Sequence, residues 1–316
     1  MRKLKLFTGS VNNELAEKIS MRLGVPLSPL EIKRFKDTET YVKIKEKVRG
    51  EDVFIIQSTS PPVNENLMEL LIILDAMKRS SAGRINVVIP YYGYGRQDRK
   101  ATAREPITAK LVANLITAAG ADRVVTVDLH TDQIQGFFDI PVDHFVAYPL
   151  FADYFKDKKI KNIVAVAPDT GFAKKTRRFA KLMEIPMAII DKRRPAHNRA
   201  EVCFVIGDVK NKTAILIDDI IDTGGTISAA ADALIQKGAD KVYICATHAV
   251  LSGDAVKKLE VCKAKEIILT DTIPLASNKV LKKMKIISVA SLMAQVIERI
   301  HSNESLGKLF YWEALV

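Results

Sequence analysis

Residues 214–234 read AILIDDIIDTGGTISAAADAL. The run opens as an apolar strand and closes on an alanine-rich helical pattern, so strand, turn and helix follow one another within a single short segment. Asp218 and Asp219 fall at the carboxyl end of the strand 214–218, the position at which open α/β sheets bind ligands. Gly224 and Gly225 permit backbone angles closed to other residues and allow a ligand to approach the main chain. Thr223 and Thr226 add hydroxyls, and a helix starting near Ile227 offers free N–H groups and its positive dipole end.

A phosphate monoester suits that turn, whereas Asp218, Asp219 and Asp222 would repel it. The acids must therefore serve another part of the same ligand, since carboxylates accept hydrogen bonds and coordinate Mg²⁺. A sugar phosphate carries both kinds of group, a charged ester and vicinal hydroxyls. The alternative is a capped strand–helix turn with solvated acids.

Working outward, apolar β-type runs alternate with helical patterns along most of the chain: 52–57, 85–91, 123–129, 162–168, 186–191, 214–218, 241–247 and 266–270. Strands this apolar, separated by helices, predict parallel sheets covered on both faces. The segments GADRVVTVDLH (120–130) and GADKVYICATH (238–248) echo each other, and each follows an amphipathic helix, a loop and a strand. Duplication of an α/β unit accounts for this. We expect domains at 1–148 and 149–316, with the tail from Ser288 forming one helix and a short terminal segment.

The 316 residues suit two α/β domains, and 48% hydrophobic with 27% charged residues is ordinary for a soluble globular chain. No apolar run is long enough to span a bilayer, and MRKLKLFTGS lacks a signal-peptide core, so no membrane partner is expected. Cys203, Cys245 and Cys262 have neither metal-site nor disulfide-framework spacing, which predicts a reducing, cytoplasmic setting. The net charge of +11 suits phosphorylated ligands. Part of it lies in runs read as solvated helical faces, AKKTRRFAK and VLKKMK, and no nucleic-acid-binding motif occurs, so polyphosphates rank above nucleic acid. There is no GxxxxGK[ST], no complete dinucleotide fingerprint, and no GxSxG, HExxH or kinase signature.

The 214–234 turn resembles the ribose-5-phosphate loop shared by type I phosphoribosyltransferases and ribose-phosphate diphosphokinases, the synthetases of phosphoribosyl diphosphate (PRPP). Residues 87–144, from VVIPYYGYGRQDRK to FFDIPVDH, resemble the first-domain core of the diphosphokinases, which nucleobase phosphoribosyltransferases lack. The likeness runs nearly end to end, through FTGSVNNELAEKIS and QSTSPPVNENLMELLI to the final helix. It implies two tandem type I phosphoribosyltransferase-like domains, each a mainly parallel sheet flanked by helices. It also implies transfer of the β,γ-diphosphoryl group of ATP to the C1 hydroxyl of ribose 5-phosphate.

The same resemblance implies residue roles. Arg96 and Gln97 in RQDRK bind ATP; Phe35, Asp37, Thr38 and Glu39 in RFKDTET match an adenine-contacting hairpin donated by a neighbouring subunit, with Thr38 standing where Gly is usual. His130 and Asp169 match the magnesium-site residues, with Thr170 and Phe172 departing from the usual pattern beside Asp169. Lys192 and Arg194 in IIDKRRPAHN match the catalytic pair of a mobile loop, Arg194 also reaching the sugar phosphate held by Asp218, Asp219, Asp222, Thr223, Gly224, Gly225 and Thr226. Arg49, Ser81 and Arg104 lie in segments like those of a regulatory site. Mg²⁺ as cofactor, inorganic phosphate as activator, ADP as inhibitor and a hexamer of dimers belong to the same implication. Two rival readings are a nucleobase phosphoribosyltransferase and a non-catalytic regulatory subunit.

Overall fold

The computed structural model describes residues 2–193 and 202–310, with backbone alone at 192–193 and 202–203. Chain contacts divide it into two compact units. Among the described residues, the first contains 2–146 with Thr272–Pro274 and Ser288–Phe310, and the second those of Ala147–Asp271 and Leu275–Ile287.

In the first unit the order is β1 (Leu4–Thr8), α1 (Asn13–Leu23), β2 (Leu30–Arg34), β3 (Thr40–Ile44), β4 (Asp52–Ile56), α2 (Val63–Arg79), β5 (Arg84–Ile89), α3 (Thr108–Ala119), β6 (Arg123–Val127) and β7 (Val142–Phe145). Strands β1-β4-β5-β6-β7 form a parallel sheet in that spatial order, and β2 pairs antiparallel with β3 as a separate hairpin. Every residue of β4 is buried, as expected of a parallel strand with helices on both faces. On α2, Leu67, Leu70, Ile73, Leu74 and Met77 make a buried stripe at helical spacing, and on α3 Ala109, Val112, Ala113 and Ile116 do the same. These side chains join the sheet residues in one core.

The second unit runs α4 (Tyr148–Asp157), β8 (Ile163–Ala167), α5 (Ala173–Met183), β9 (Met187–Arg193), β10 (Val202–Ile206), β11 (Thr213–Ile221), α6 (Gly225–Gln236), β12 (Lys241–Ala249), α7 (Ala255–Val261), β13 (Glu266–Thr270) and β14 (Met284–Ile287). Its sheet has the order β10-β9-β8-β11-β12-β13-β14, parallel except for β10. The chain leaves β8 toward β9 and then returns to β11 on its other side. The crevice between β8 and β11 is therefore a topological switch point, where ligands of open α/β sheets bind.

The α/β class and the strands anticipated from apolar runs are present. β11, however, does not stop at Asp218: it continues to Ile221. It pairs with β8 only through Leu216, yet with β12 as far as Ile221 opposite Ala249. The last residues of β11 thus overhang the crevice, which takes them beyond the expected strand end without removing them from the ligand side. The run AKKTRRFAK is a helix as expected, with Thr176, Phe179 and Ala180 buried, but VLKKMK leads into strand β14 instead of a helical face. A single division at 148/149 would place α8 (Ala290–His301) with the second domain; it packs with α1 in the first unit, and Leu292, Met293, Val296, Ile297 and Ile300 are buried on it. Among the described residues no helix is long and apolar enough to cross a membrane.

Candidate active site

In the second unit, three neighbouring parallel strands deliver the sequence-predicted residues to one edge of the sheet. Asp169 follows β8, Lys192 lies on β9 opposite Cys203 of β10, and Asp218 and Asp219 lie on the overhanging part of β11. Asp219 is 3% exposed, and its backbone N–H donates to Asp218 Oδ1 at 2.9 Å. Burial, then the neighbouring Asp219 and, further off, Asp169, push the Asp218 carboxyl well above the usual carboxylate range. A cluster of acids in this state gains from any partner that brings positive charge or hydroxyl donors. Asp169 is exposed, and its Oδ1 accepts the Phe172 N–H at 3.0 Å, which orients the carboxylate. Phe172 departs from the usual family residue, but this contact uses only its backbone.

The turn itself is built for a close main-chain approach. Gly224 caps α6 at φ 71°, a left-handed conformation that disfavours side chains, and a Cβ there would sit 3.2 Å from the Ala255 carbonyl oxygen. A Cβ on Gly225 would meet only Lys258 Nζ, at 3.9 Å. Thr223 and Thr226 are exposed at this end of α6, whose first N–H groups have no intrahelical acceptor. Arg194 lies outside the described residues.

The corresponding strand–helix connection of the first unit is built differently. Residues 90–107, between β5 and α3, form a long irregular loop. It is pinned to the 57–62 segment by Gly93, whose N–H donates to Thr59 Oγ1 at 2.7 Å and whose Cβ, if present, would stand 2.4 Å from the Thr59 carbonyl oxygen. Arg96 and Gln97 line a cavity of about 390 Å³ together with Asn64, Glu65, Tyr91 and Tyr94. Thr108 Oγ1 donates to Gln97 Oε1 at 2.6 Å, which fixes the amide with its NH₂ as the remaining donor. Thr131 Oγ1 donates to Asp98 Oδ2 at 2.8 Å, tying the His130 turn to this same loop.

His130 is exposed, just beyond β6, on a turn whose Asp128 has φ 43°. Sequence reasoning missed what holds that turn. The Asp128 N–H donates to the Phe145 carbonyl at 2.8 Å, and the Leu129 N–H donates to His144 Nε2 at 2.9 Å. Since Nε2 accepts, the neutral His144 ring carries its proton on Nδ1, 3.9 Å from Asp132 Oδ1. The only available signal was a histidine on a strand, because the contact depends on β6 and β7 lying side by side.

Phe35 to Glu39 cap the β2–β3 hairpin. The Phe35 N–H donates to the Glu39 carbonyl at 2.9 Å, the Thr38 N–H to the Phe35 carbonyl at 3.0 Å, and the Glu39 N–H to Asp37 Oδ1 at 3.1 Å. Thr38 has φ 76°, which accounts for the usual glycine here and makes the threonine a strained substitute. Phe35 is 56% exposed, edge-on to Tyr41. Of the regulatory candidates, Arg49 and Ser81 are brought together by the antiparallel bridge Arg49–Ala82 and the Gly50 N–H to Ser81 carbonyl bond of 2.8 Å. Arg104 sits on the loop ahead of α3 at φ 71°.

Among known proteins, residues 4–120 match the N-terminal domain of ribose phosphate pyrophosphokinase and residues 195–311 match the phosphoribosyl synthetase-associated domain. The ribose-phosphate pyrophosphokinase of Fusobacterium nucleatum is 57% identical over 309 residues, covering 97% of this chain and 98% of its own length. That of Caldanaerobacter subterraneus is 58% identical over 308 residues, with the same two coverages. The chain belongs to the ribose-phosphate pyrophosphokinase family. The fold agrees: the crystal structure of phosphoribosylpyrophosphate synthetase from Mycobacterium smegmatis superimposes with a TM-score of 0.91 at 44% identity, over 96% of this chain and 100% of that one. Family models thus match both the first and the second part of the chain.

Proposed function

We propose that this protein transfers the β,γ-diphosphoryl group of ATP to the C1 hydroxyl of ribose 5-phosphate, giving PRPP and AMP for nucleotide, histidine and tryptophan biosynthesis. Family membership supports the reaction. The observation that carries the assignment of the sugar side is the β11–α6 turn, where Asp218, Asp219 and Asp222 adjoin a helix start whose first N–H groups have no intrahelical acceptor and whose glycines leave the backbone uncovered.

In this reading the main-chain N–H groups of Gly225 and Thr226, with the Thr223 and Thr226 hydroxyls, bind the 5-phosphate, while Asp218, Asp219 and Asp222 accept from the ribose hydroxyls and orient the sugar. Arg96 and Gln97 bind the nucleotide, with Phe35, Asp37, Thr38 and Glu39 of a neighbouring subunit on the adenine. The exposed hairpin tip fits a surface offered to another copy. The C1 hydroxyl attacks the β-phosphorus in line, the bond from that phosphorus to the oxygen of AMP breaks, and the hydroxyl proton is lost. A loose transition state spreads charge over the oxygens, so positioning and cations supply most of the rate. Lys192 and Arg194 stabilise that charge on the transferring group and the leaving oxygen.

Mg²⁺ fits the residues present, because the exposed Asp169 carboxylate and the exposed His130 ring each offer a ligand atom, and Mg²⁺ takes few protein ligands beside substrate phosphates. His130 and Asp169 are the residues expected to ligate it, and it would neutralise triphosphate charge. Arg49, Ser81 and Arg104 form the regulatory phosphate site, with inorganic phosphate activating and ADP inhibiting a cytoplasmic hexamer built from dimers. The described cysteines Cys245 and Cys262 are unpaired, in keeping with a reducing compartment.

AMP formation from ATP by the purified protein, with and without ribose 5-phosphate and at varied inorganic phosphate, tests the proposal. Sugar-dependent AMP is expected. No AMP under any condition would leave the regulatory-subunit reading standing.

A further inference from the structure

The turn proposed to hold the sugar phosphate has an electrostatic problem. From Asp218 to Ser228 the chain carries three aspartates and no lysine or arginine. Within the turn a phosphate dianion would meet only amides and hydroxyls among carboxylates; Arg194, expected to reach it from another loop, lies outside the described residues, so the turn itself supplies no counter-charge. The fold brings one from elsewhere. Loop 250–254 is fastened to the turn by the Ser252 N–H donating to the Asp222 carbonyl at 3.0 Å, and α7 packs onto Gly224 through Ala255. From α7, Lys258 Nζ donates to the Thr223 carbonyl at 3.3 Å and lies 3.9 Å from where a Cβ on Gly225 would stand. Its neighbour Lys257 turns away and pairs with Asp254 at 3.0 Å. Only one of two consecutive lysines is delivered to the turn, and it reaches the side that Gly225 leaves open.

We propose that Lys258 is a phosphate-binding residue of this site: its ammonium supplies the counter-charge for the 5-phosphate, so that the turn favours a phosphorylated pentose. The inference rests on the reading of the Asp222–Thr226 turn as the sugar-phosphate cradle. Its range is short, because an exposed ammonium acts over a few ångströms in water, so the effect belongs on sugar affinity and not on turnover.

Steady-state AMP formation by the full chain tests this with Lys258→Met, Lys258→Gln, Lys258→Arg and Lys257→Met. Lys258→Met is expected to raise KM for ribose 5-phosphate about tenfold, corresponding to about 1.4 kcal/mol, with KM for ATP and kcat near wild type. Lys258→Arg should restore the affinity. Lys258→Gln, which keeps a donor for the Thr223 carbonyl but no charge, should not. Lys257→Met should behave as wild type. Raising ionic strength should weaken sugar binding in the wild type more than in Lys258→Met. An unchanged KM in Lys258→Met, or full function in Lys258→Gln, overturns the proposal. Gly225→Val separates this from the underlying reading, since its Cβ would meet no protein atom closer than Lys258 Nζ at 3.9 Å, while Lys258→Met reports on that side chain alone. If Gly225→Val leaves KM for the sugar unchanged, the cradle assignment itself is wrong; if it raises KM and Lys258→Met does not, only the role of Lys258 is lost.

Discussion

The two strand–loop–helix segments β5–α3 and β11–α6 begin from the same architectural plan and expose opposite kinds of group. In the first unit residues 90–107 intervene between strand and helix, and the loop presents Arg96 and Gln97 as side chains over a cavity. In the second unit the strand runs to Ile221 and the helix begins at Gly225, so the backbone itself faces the crevice. A short turn offers a fixed set of N–H donors suited to one small charged group. A long loop offers adaptable side chains suited to a larger ligand. The echoed histidines show the same divergence. β6 ends at Val127 and leaves His130 exposed, whereas β12 runs on to Ala249 and buries His248 at 2% exposure.

Replacing Lys192 by Ala separates chemistry from both recognition modes. Turnover should fall roughly 10²–10³-fold, the scale of losing one preorganised charge-stabilising group, while KM for ATP and for ribose 5-phosphate stays near wild type in initial-rate assays. An unchanged kcat would refute the assignment.

Gly224→Val attacks the main-chain mode alone. The left-handed conformation and the close Ala255 carbonyl make this substitution cost on the order of 1–3 kcal/mol, and isothermal titration should show it as weaker ribose 5-phosphate binding. Arg96→Ala should do the reverse, weakening ATP binding by about tenfold with the sugar unaffected. Equal losses for both ligands in either variant would collapse the distinction between the two loops.

The histidine contrast predicts a crossover of smaller size. His248→Ala should lower stability to urea by about 1–2 kcal/mol, as for a truncated buried polar residue. His130→Ala should leave stability unchanged and raise the Mg²⁺ concentration needed for half-maximal activity.

The last test contrasts two carboxylates. Burial alone would raise the Asp52 carboxyl, but the hydrogen bonds from Arg84, the bond with His301 and the Arg84 charge outweigh it and hold the carboxyl below its ordinary value, the opposite of Asp218. Arg84 Nε lies 2.7 Å and His301 Nδ1 2.8 Å from it, so the pair ties β4 and β5 to the end of α8. Because the folded pKa is depressed, this stabilisation is complete above the unfolded value of about 3.9 and is lost as pH falls through the folded one. Urea melts across acid pH should show Asp52→Asn with a shallower decline than wild type in that window.

Much of this was legible before any fold was known. The alternation of apolar runs with helical stripes specified the α/β class, because burial on both faces of a parallel strand demands a continuous apolar run. Asp218–Thr226 could be read as a sugar-phosphate turn because its donors, acceptors and glycines are consecutive in the chain. What could not be read were contacts between residues distant in sequence. The β2–β3 hairpin carries alternating apolar residues instead of a continuous run, so only the family resemblance announced its tip, and the true end of β11 depends on where β8 stops pairing. The packing of α8 on α1, the His144 support beneath His130 and the approach of Lys258 to Gly225 depend on strand order and helix docking. Local chemistry follows from covalent neighbours and can be read along the chain. Which charge faces which turn is set by how sheets and helices pack, and that emerges only in three dimensions.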